Sequence, residues 1–338
     1  MPVKWNPDKD LPDLSGKVCV VTGTSAGGIG REIVKHLALG GAKVYATARS
    51  EAKSKATIHE ILKEHPSIKE EQLVPLLVDF EAPGSVQDAV EELKKKESKV
   101  DVMINNAGGL HAKLEFNEAG WEKHMASNYM GHFIFVNGLM PLLRSAVSSG
   151  SDVRVISVGS NAVAEILGKS YKVDFAGREV YQGEHPQKSL LERGLAALVF
   201  AGDGVRYGIS KLAVMMFAAE LQKRFDEQNI PILSVSINPG TANSHGSAPA
   251  LLKPALRPMF KWMTVTPEKA SWSALFFGTA KEARDPKYKG KYHEPLAVVT
   301  AAHPYLEDIK MREALWEATT DEINTYLRSK GRPQLGPW

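Results

Sequence analysis

Short apolar runs alternate with longer stretches of helical periodicity through the first two-thirds of this chain. Residues 17–22, Lys43–Ala48, Leu73–Val78, Val100–Ile104, Val153–Val158 and Ile232–Ile237 read as buried strands. Between them the pattern predicts helices from Gly28 to Leu39, from Glu51 to Glu64, and from just after Pro83-Gly84 to about Ser98. A long helical region then runs to Leu143. Gly40-Gly41 and His65-Pro66 are stop signals for the first two helices. Strands alternating with helices predict an α/β fold with a doubly wound, Rossmann-type parallel sheet. Two regions interrupt the alternation. Residues 161–205 carry glycine, charge and aromatics without a clear period, and residues 241–265 are rich in alanine, proline and large apolar groups. Both follow carboxyl ends of strands, where open α/β sheets bind ligands. The expected organisation is one domain over 1–338, with an insertion at 161–205 and a lid at 241–265 shaping a substrate site, and a C-terminal extension at 300–338.

Composition narrows the function. The chain of 338 residues has a formal charge of +3, too small for a nucleic-acid footprint. Its single cysteine, Cys19, lies in an apolar run and forms no intramolecular disulfide, which fits a reducing compartment. No apolar stretch suits a membrane span or a signal peptide, so a cytoplasmic protein is expected. No His, Cys or carboxylate group has metal-ligand spacing in sequence, so no metal is expected.

Chemistry begins after the first strand, at Thr22-Gly23-Thr24-Ser25-Ala26-Gly27-Gly28-Ile29-Gly30. Glycines let the backbone turn tightly and approach a pyrophosphate, while the following helix start presents N–H groups and a partial positive charge. The second strand ends in Arg49, with no carboxylate there to receive a ribose hydroxyl. A planar cation at that point suits a 2′-phosphate, so NADP(H) is favoured over NAD(H) as cofactor.

Tyr207 and Lys211, four residues apart, share one face of a helix. Tyr326 and Lys330 repeat the spacing and read as helix surface; only the first pair follows the fifth strand. The ordered set TGTSAGGIG, Val78-Asp79-Phe80, Asn105-Asn106-Ala107-Gly108, Asn128-Tyr129-Met130-Gly131-His132-Phe133, Ile156–Ser160, Tyr207–Lys211 and Asn238-Pro239-Gly240 closely resembles the short-chain dehydrogenase/reductase family over about residues 15–245. The Gly131-His132-Phe133 run and the Leu315-Trp316-Glu317 helix look like its retinol-dehydrogenase and WW-domain-oxidoreductase branch, its fungal members above all. The resemblance implies a catalytic set of Asn128, Ser160, Tyr207 and Lys211. Tyr207 would give or take the proton, Lys211 would lower its pKa and hold the ribose, Ser160 would place the substrate oxygen, and Asn128 would sustain a water-linked proton path. It also implies a cofactor-binding set: Gly23, Ser25, Gly28, Ile29, Gly30, Arg49, Asp79 at the adenine, Asn106 beside the adenosine, Tyr207, Lys211, Pro239, Gly240, Thr241 and Ser244. His124 and His132 read as packing or surface residues.

The sequence departs from the family pattern in three places. Four residues separate Gly23 from Gly28 where the family has three, so either Gly27 or Gly28 could be the second loop glycine. A long insertion separates Ser160 from Tyr207. Ser244 stands where the family often has threonine. The expected activity is hydride transfer between NADP(H) and a ketone, aldehyde or alcohol carbon of an apolar substrate, the apolar residues of 248–262 and the aromatics of 161–205 suggesting a sizeable apolar pocket for it. The alternative is a binding protein that senses NADP(H), against which the complete catalytic set counts. Leu251–Met263 reads as a substrate lid rather than a membrane-surface helix. A homodimer stays open, because the C-terminal extension could cover the surfaces relatives pair through.

Overall fold

The eight strands of the sheet lie in the order β3-β2-β1-β4-β5-β6-β7-β8. They are β1 Val18–Val21, β2 Lys43–Ala48, β3 Leu73–Leu77, β4 Val102–Asn105, β5 Val153–Val158, β6 Ile232–Ile237, β7 Tyr292–Glu294 and β8 Val298–Val299. This computed structural model describes residues 2–111, 113–185, 204–240 and 264–338. All neighbouring strands pair in parallel except β7 and β8.

Among the described residues the helices are α1 Pro7–Asp10, α2 Ile29–Leu39, α3 Glu51–Glu64, α4 Pro83–Lys96, α5 Gly131–Ser148, α6 Gly204–Glu227, α7 Pro267–Thr279 and α8 Ile309–Ser329. A π-helical turn, Met125–Met130, leads into α5. Alternate strand residues enter two separate cores. Val18, Val20, Met103, Val153 and Val155 join the core under α4, α5, α6 and α8, while Cys19, Val21, Ile104, Ile156 and Val158 join the one under α2, α3 and α7. Burial on both faces is why these strands are continuously apolar in sequence.

The six strands expected from the pattern are present, with ends within two residues of the expected ones. Strands β7 and β8 were not expected. They are too short to show a period, and β7 carries His293 and Glu294. The long helical region resolves into the π-helical turn and α5.

Residues 161–185 and the C-terminal extension form one packed unit. Phe175 and Tyr181 are wholly buried in the first core, together with Tyr171 and Val173. These aromatics therefore pack inward, whereas the sequence reading took them as signs of a pocket wall. Helix α8 lies along α6 and holds this stretch: the Thr319 hydroxyl is 2.9 Å from the Tyr129 hydroxyl and 3.0 Å from that of Tyr181. Trp121 Nε1 donates to Glu322 at 3.0 Å. Trp316 and Trp338 close an aromatic cluster over Phe133 and Phe217.

Candidate active site

The sheet reverses its winding between β1 and β4, and the loops after these two strands meet at their carboxyl ends. Gly27 has φ +67°, a left-handed turn that favours glycine, and Gly28 (φ −100°) is the N-cap of α2. The open question about the second loop glycine thus divides: Gly27 makes the turn and Gly28 starts the helix. Ser25 is exposed at the tip, and its carbonyl accepts from the Gly28 amide at 3.0 Å. Ile29 is the first helical residue. Gly30 has no room for a side chain, since a Cβ there would lie 2.7 Å from Asn106 Nδ2. No side chain caps α2, so its positive end faces the glycine loop, as a pyrophosphate requires. These residues fit the nicotinamide dinucleotide that the loop implies.

Asn106 binds the loop directly. Its Nδ2 donates to the carbonyls of Thr22 (2.7 Å) and Gly23 (3.0 Å). At the neighbouring strand ends, Asp79 Oδ1 accepts from the Glu81 amide at 3.0 Å. The Arg49 side chain is 68% exposed and stands 3.6 Å from Glu81 Oε1. It is therefore accessible to a ligand, but it faces a carboxylate that sequence reading did not single out.

Thr22 and His132 form a hub that was also missed. The Thr22 hydroxyl accepts from the amides of Asn106 (2.8 Å) and Ala107 (2.7 Å). His132 Nδ1 faces the Asn128 carbonyl at 3.1 Å and must donate to it, which leaves Nε2 to accept from the Thr22 hydroxyl at 2.9 Å. Burial, reinforced by the nearby Lys211 cation, pushes the His132 imidazole down to about 3, so it is neutral. His132 was expected to pack, and it does stack on Phe80. Its hydrogen bonds additionally tie the glycine loop to the turn that carries Asn128. No spacing rule in one sequence reveals such a link.

The four expected catalytic residues converge. Asn128 is buried in the π-helical turn; its Oδ1 accepts from the Gly109 amide (2.9 Å) and its Nδ2 donates to Ser210 Oγ (2.9 Å). Ser160 follows β5, and its side chain is near enough to the Tyr207 phenol to favour the phenol's ionised form. Tyr207 lies on α6 and Lys211 one turn on, with Nζ 5.8 Å from the Tyr207 ring centre. Lys211 Nζ donates to the Val158 carbonyl at 2.8 Å. Burial pushes the Lys211 ammonium down to about 8. Burial likewise raises the Tyr207 phenol, partly offset by the Ser160 side chain. The ends of the long insertion therefore meet at this site.

The Tyr326–Lys330 pair has nearly the same internal geometry, with Nζ 5.7 Å from the ring centre. Its phenol, however, donates to Glu118 at 2.7 Å near the surface. Surroundings separate the two pairs; geometry within the pair does not.

Beyond β6, Gly240 (φ +82°) donates its amide to Asn238 Oδ1 at 3.0 Å, and Pro239 stands between them. Asn238 Nδ2 reaches Glu294 of β7 at 2.6 Å, a partner not foreseen from sequence. Thr241, Ser244 and the Leu251–Met263 segment lie outside the described residues. Tertiary folding also assembles Asp8, His36 and Glu268, one potential metal-ligand atom from each lying within 4.8 Å of the others. Sequence spacing had shown no such group. Glu268 is already engaged there by Lys35 and His36. Among the described residues no helix is long and apolar enough to cross a membrane.

Residues 17–171 match the short chain dehydrogenase family model. A short chain dehydrogenase/reductase of Colletotrichum higginsianum, dpchH, is 36% identical over 94% of this chain and 77% of its own length. Its counterpart dpfgH of Gibberella zeae is 34% identical over 94% of this chain and 84% of its own length. An uncharacterized oxidoreductase of Schizosaccharomyces pombe, C736.13, is 31% identical over 92% and 86%. Among solved structures, an NADPH-bound carbonyl reductase from chicken fatty liver superposes with a TM-score of 0.59 over 86% of this chain and all of its own, at 20% identity. L-Sorbose reductase of Gluconobacter frateurii, with NADPH and L-sorbose, gives a TM-score of 0.58 over 86% and 98% at 19% identity. The fold, the order of the motifs and these relatives together place the chain in the short-chain dehydrogenase/reductase family, as a member of fungal type.

Proposed function

We propose that this protein is an NADP(H)-dependent carbonyl reductase or alcohol dehydrogenase acting on a fairly apolar substrate. The observation that carries the reading is the convergence of Ser160, the Tyr207 phenol and a buried Lys211 whose Nζ stands 5.8 Å from the Tyr207 ring centre. A serine and a phenol that converge can both reach one substrate oxygen, Ser160 to orient it and Tyr207 to exchange its proton. Lys211 favours the phenolate by its charge and stands one helical turn away to take the ribose hydroxyls. Asn128 holds the Gly108-Gly109 loop and Ser210, and from there it would sustain a water-linked proton path behind Lys211. The bound nicotinamide supplies or accepts the hydride.

Gly23, Ser25, Gly28, Ile29 and Gly30 would hold the pyrophosphate, Asp79 and Asn106 the adenosine, Arg49 the 2′-phosphate, and Pro239, Gly240, Thr241 and Ser244 the nicotinamide side. The NADPH-bound reductases of the same fold support this cofactor. Leu114, 49% exposed, lies beside Gly183 and Arg206 at the entrance to α6 and supports an apolar substrate. A cytoplasmic location fits the single unpaired cysteine. The test is NADPH oxidation, followed by absorbance, across a panel of apolar ketones and aldehydes, with NADH in parallel. Turnover of none of them, with NADPH still bound, would favour the sensor reading instead.

A further inference from the structure

The Tyr207 ring meets a second ring, that of His124, in an edge-to-face contact. Their centres are 5.9 Å apart and their planes inclined by 68°. Neither His124 nor Glu122 has any exposed surface. His124 Nε2 accepts from the backbone amide of His111 at 2.8 Å, so the ring proton sits on Nδ1 and is donated to Glu122 Oε1 at 2.7 Å. With both nitrogens engaged, the ring has one orientation. Glu122 Oε2 in turn accepts from the amides of His124 (3.0 Å) and Met125 (3.2 Å). Burial by itself would raise the Glu122 carboxyl, yet these donors hold it below its ordinary value. Arg206, the residue before Tyr207, brings its Nε to 3.7 Å from Glu122.

With its two nitrogens and its carboxylate partner fixed, the pair presents one rigid ring to Tyr207. The same pair also ties down the loop after β4 through His111, and Asn128 grips that loop through the Gly109 amide.

We propose that Glu122 and His124 are positioning residues for proton transfer: the pair fixes the Tyr207 ring so that its phenol meets Ser160 and the substrate oxygen together. The proposal rests on the reading of Tyr207 as the proton donor. It is tested with His124→Phe, which keeps a ring but loses both anchors, and with Glu122→Gln, which keeps one acceptor oxygen.

The turnover number should fall roughly tenfold or more in His124→Phe, as misplacement of a reacting group does. It should fall by less in Glu122→Gln, with NADPH affinity within about threefold of wild type in both. Near-UV circular dichroism checks the fold of each variant, and Glu122→Gln keeps the test open should His124→Phe not fold. The deciding measurement adds each change to Tyr207→Phe. If the pair acts through Tyr207, it costs less than about twofold more in that background. Losses that multiply in full, or an unchanged turnover in both single variants, overturn the proposal while Tyr207 keeps its role. Wild-type turnover in Tyr207→Phe alone overturns the proposed function, and this inference with it.

Discussion

His132 Nε2 lies 2.9 Å from the Thr22 hydroxyl, and that contact joins the glycine loop to the turn bearing Asn128. His132→Phe would preserve the stacking on Phe80 but leave the Thr22 hydroxyl and the Asn128 carbonyl without this partner. Thr22 keeps its two amide donors and has the Ile104 carbonyl 3.5 Å away, so the lost partners predict a fall of about 1–2 kcal/mol in unfolding free energy, measured by denaturant titration. NADPH should also bind more weakly, because Thr22 orders the amides of Asn106 and Ala107. The variant has a pH signature too. The folded imidazole titrates near 3 and the unfolded one near 6.5, so the unfolded chain holds the extra proton between those values. Wild-type stability therefore falls as pH drops through that window, and His132→Phe should remove that part of the fall.

Lys211 offers the opposite case, a functional group that destabilises its own fold. Its folded pKa is about 8 against an ordinary 10.5, so below pH 8 the burial of its charge costs roughly 3 kcal/mol at about 1.4 kcal/mol per unit. The unfolded chain keeps the proton up to about pH 10, so this cost fades as pH rises from about 8 to 10.5. Lys211→Met should be inactive yet melt a few degrees above wild type at pH 7, the gain shrinking toward pH 10. Differential scanning calorimetry at both pH values checks this. A lower melting temperature at pH 7 would contradict it.

Tyr207→Phe removes only the phenolic hydroxyl. Turnover should drop by ~10²–10⁴-fold, the usual contribution of a placed proton donor, with NADPH affinity nearly unchanged. Tyr326→Phe, in the pair of matching geometry near the surface, should leave turnover at the wild-type level. Steady-state kinetics on any carbonyl the wild type reduces compares the two.

Arg49 is exposed and poised at the end of β2, so NADPH should bind at least tenfold more tightly than NADH, a difference of ~1.4 kcal/mol. Arg49→Ala should erase that preference by weakening NADPH alone. Nicotinamide fluorescence titration gives both constants. Equal affinities in the wild type would remove Arg49 from the 2′-phosphate site.

Residues 183 and 206 lie side by side, since a Cβ on Gly183 would stand 3.2 Å from Arg206 Cδ. Replacing residues 186–203 with a short linker should therefore leave the sheet intact. Substrate range or KM should change, and NADPH affinity should stay within about threefold. Loss of NADPH binding in a folded product would show that this stretch serves the cofactor.

The sheet was legible because strands buried on both faces must be apolar throughout: Val18–Val21 and Val153–Val158 announce themselves. The glycine loop and the Tyr207–Lys211 pair were legible because their chemistry fixes spacing along the chain. Glu294, Thr22 and the role of His132 were not, since each works through a partner far away in sequence, and the local Glu122–His124 pair gains its meaning only where it meets Tyr207. The aromatics of 161–185 were misread for the same reason. Tyr171, Phe175 and Tyr181 bury themselves through α8 and its neighbouring turn, more than a hundred residues onward, and local composition cannot distinguish a core aromatic from a pocket wall.

The two borders of the sheet bear on how this protein behaves at high concentration. At one border β3 places Pro75 opposite Ala46, removing an amide that an incoming strand would need. At the other, β8 spans two residues and runs against its neighbour. Among the described residues neither border offers the long, flat row of unpaired amides and carbonyls on which another chain could template itself. Strand-by-strand growth from these borders of the native sheet is therefore disfavoured, which turns self-association of the folded protein toward other surfaces.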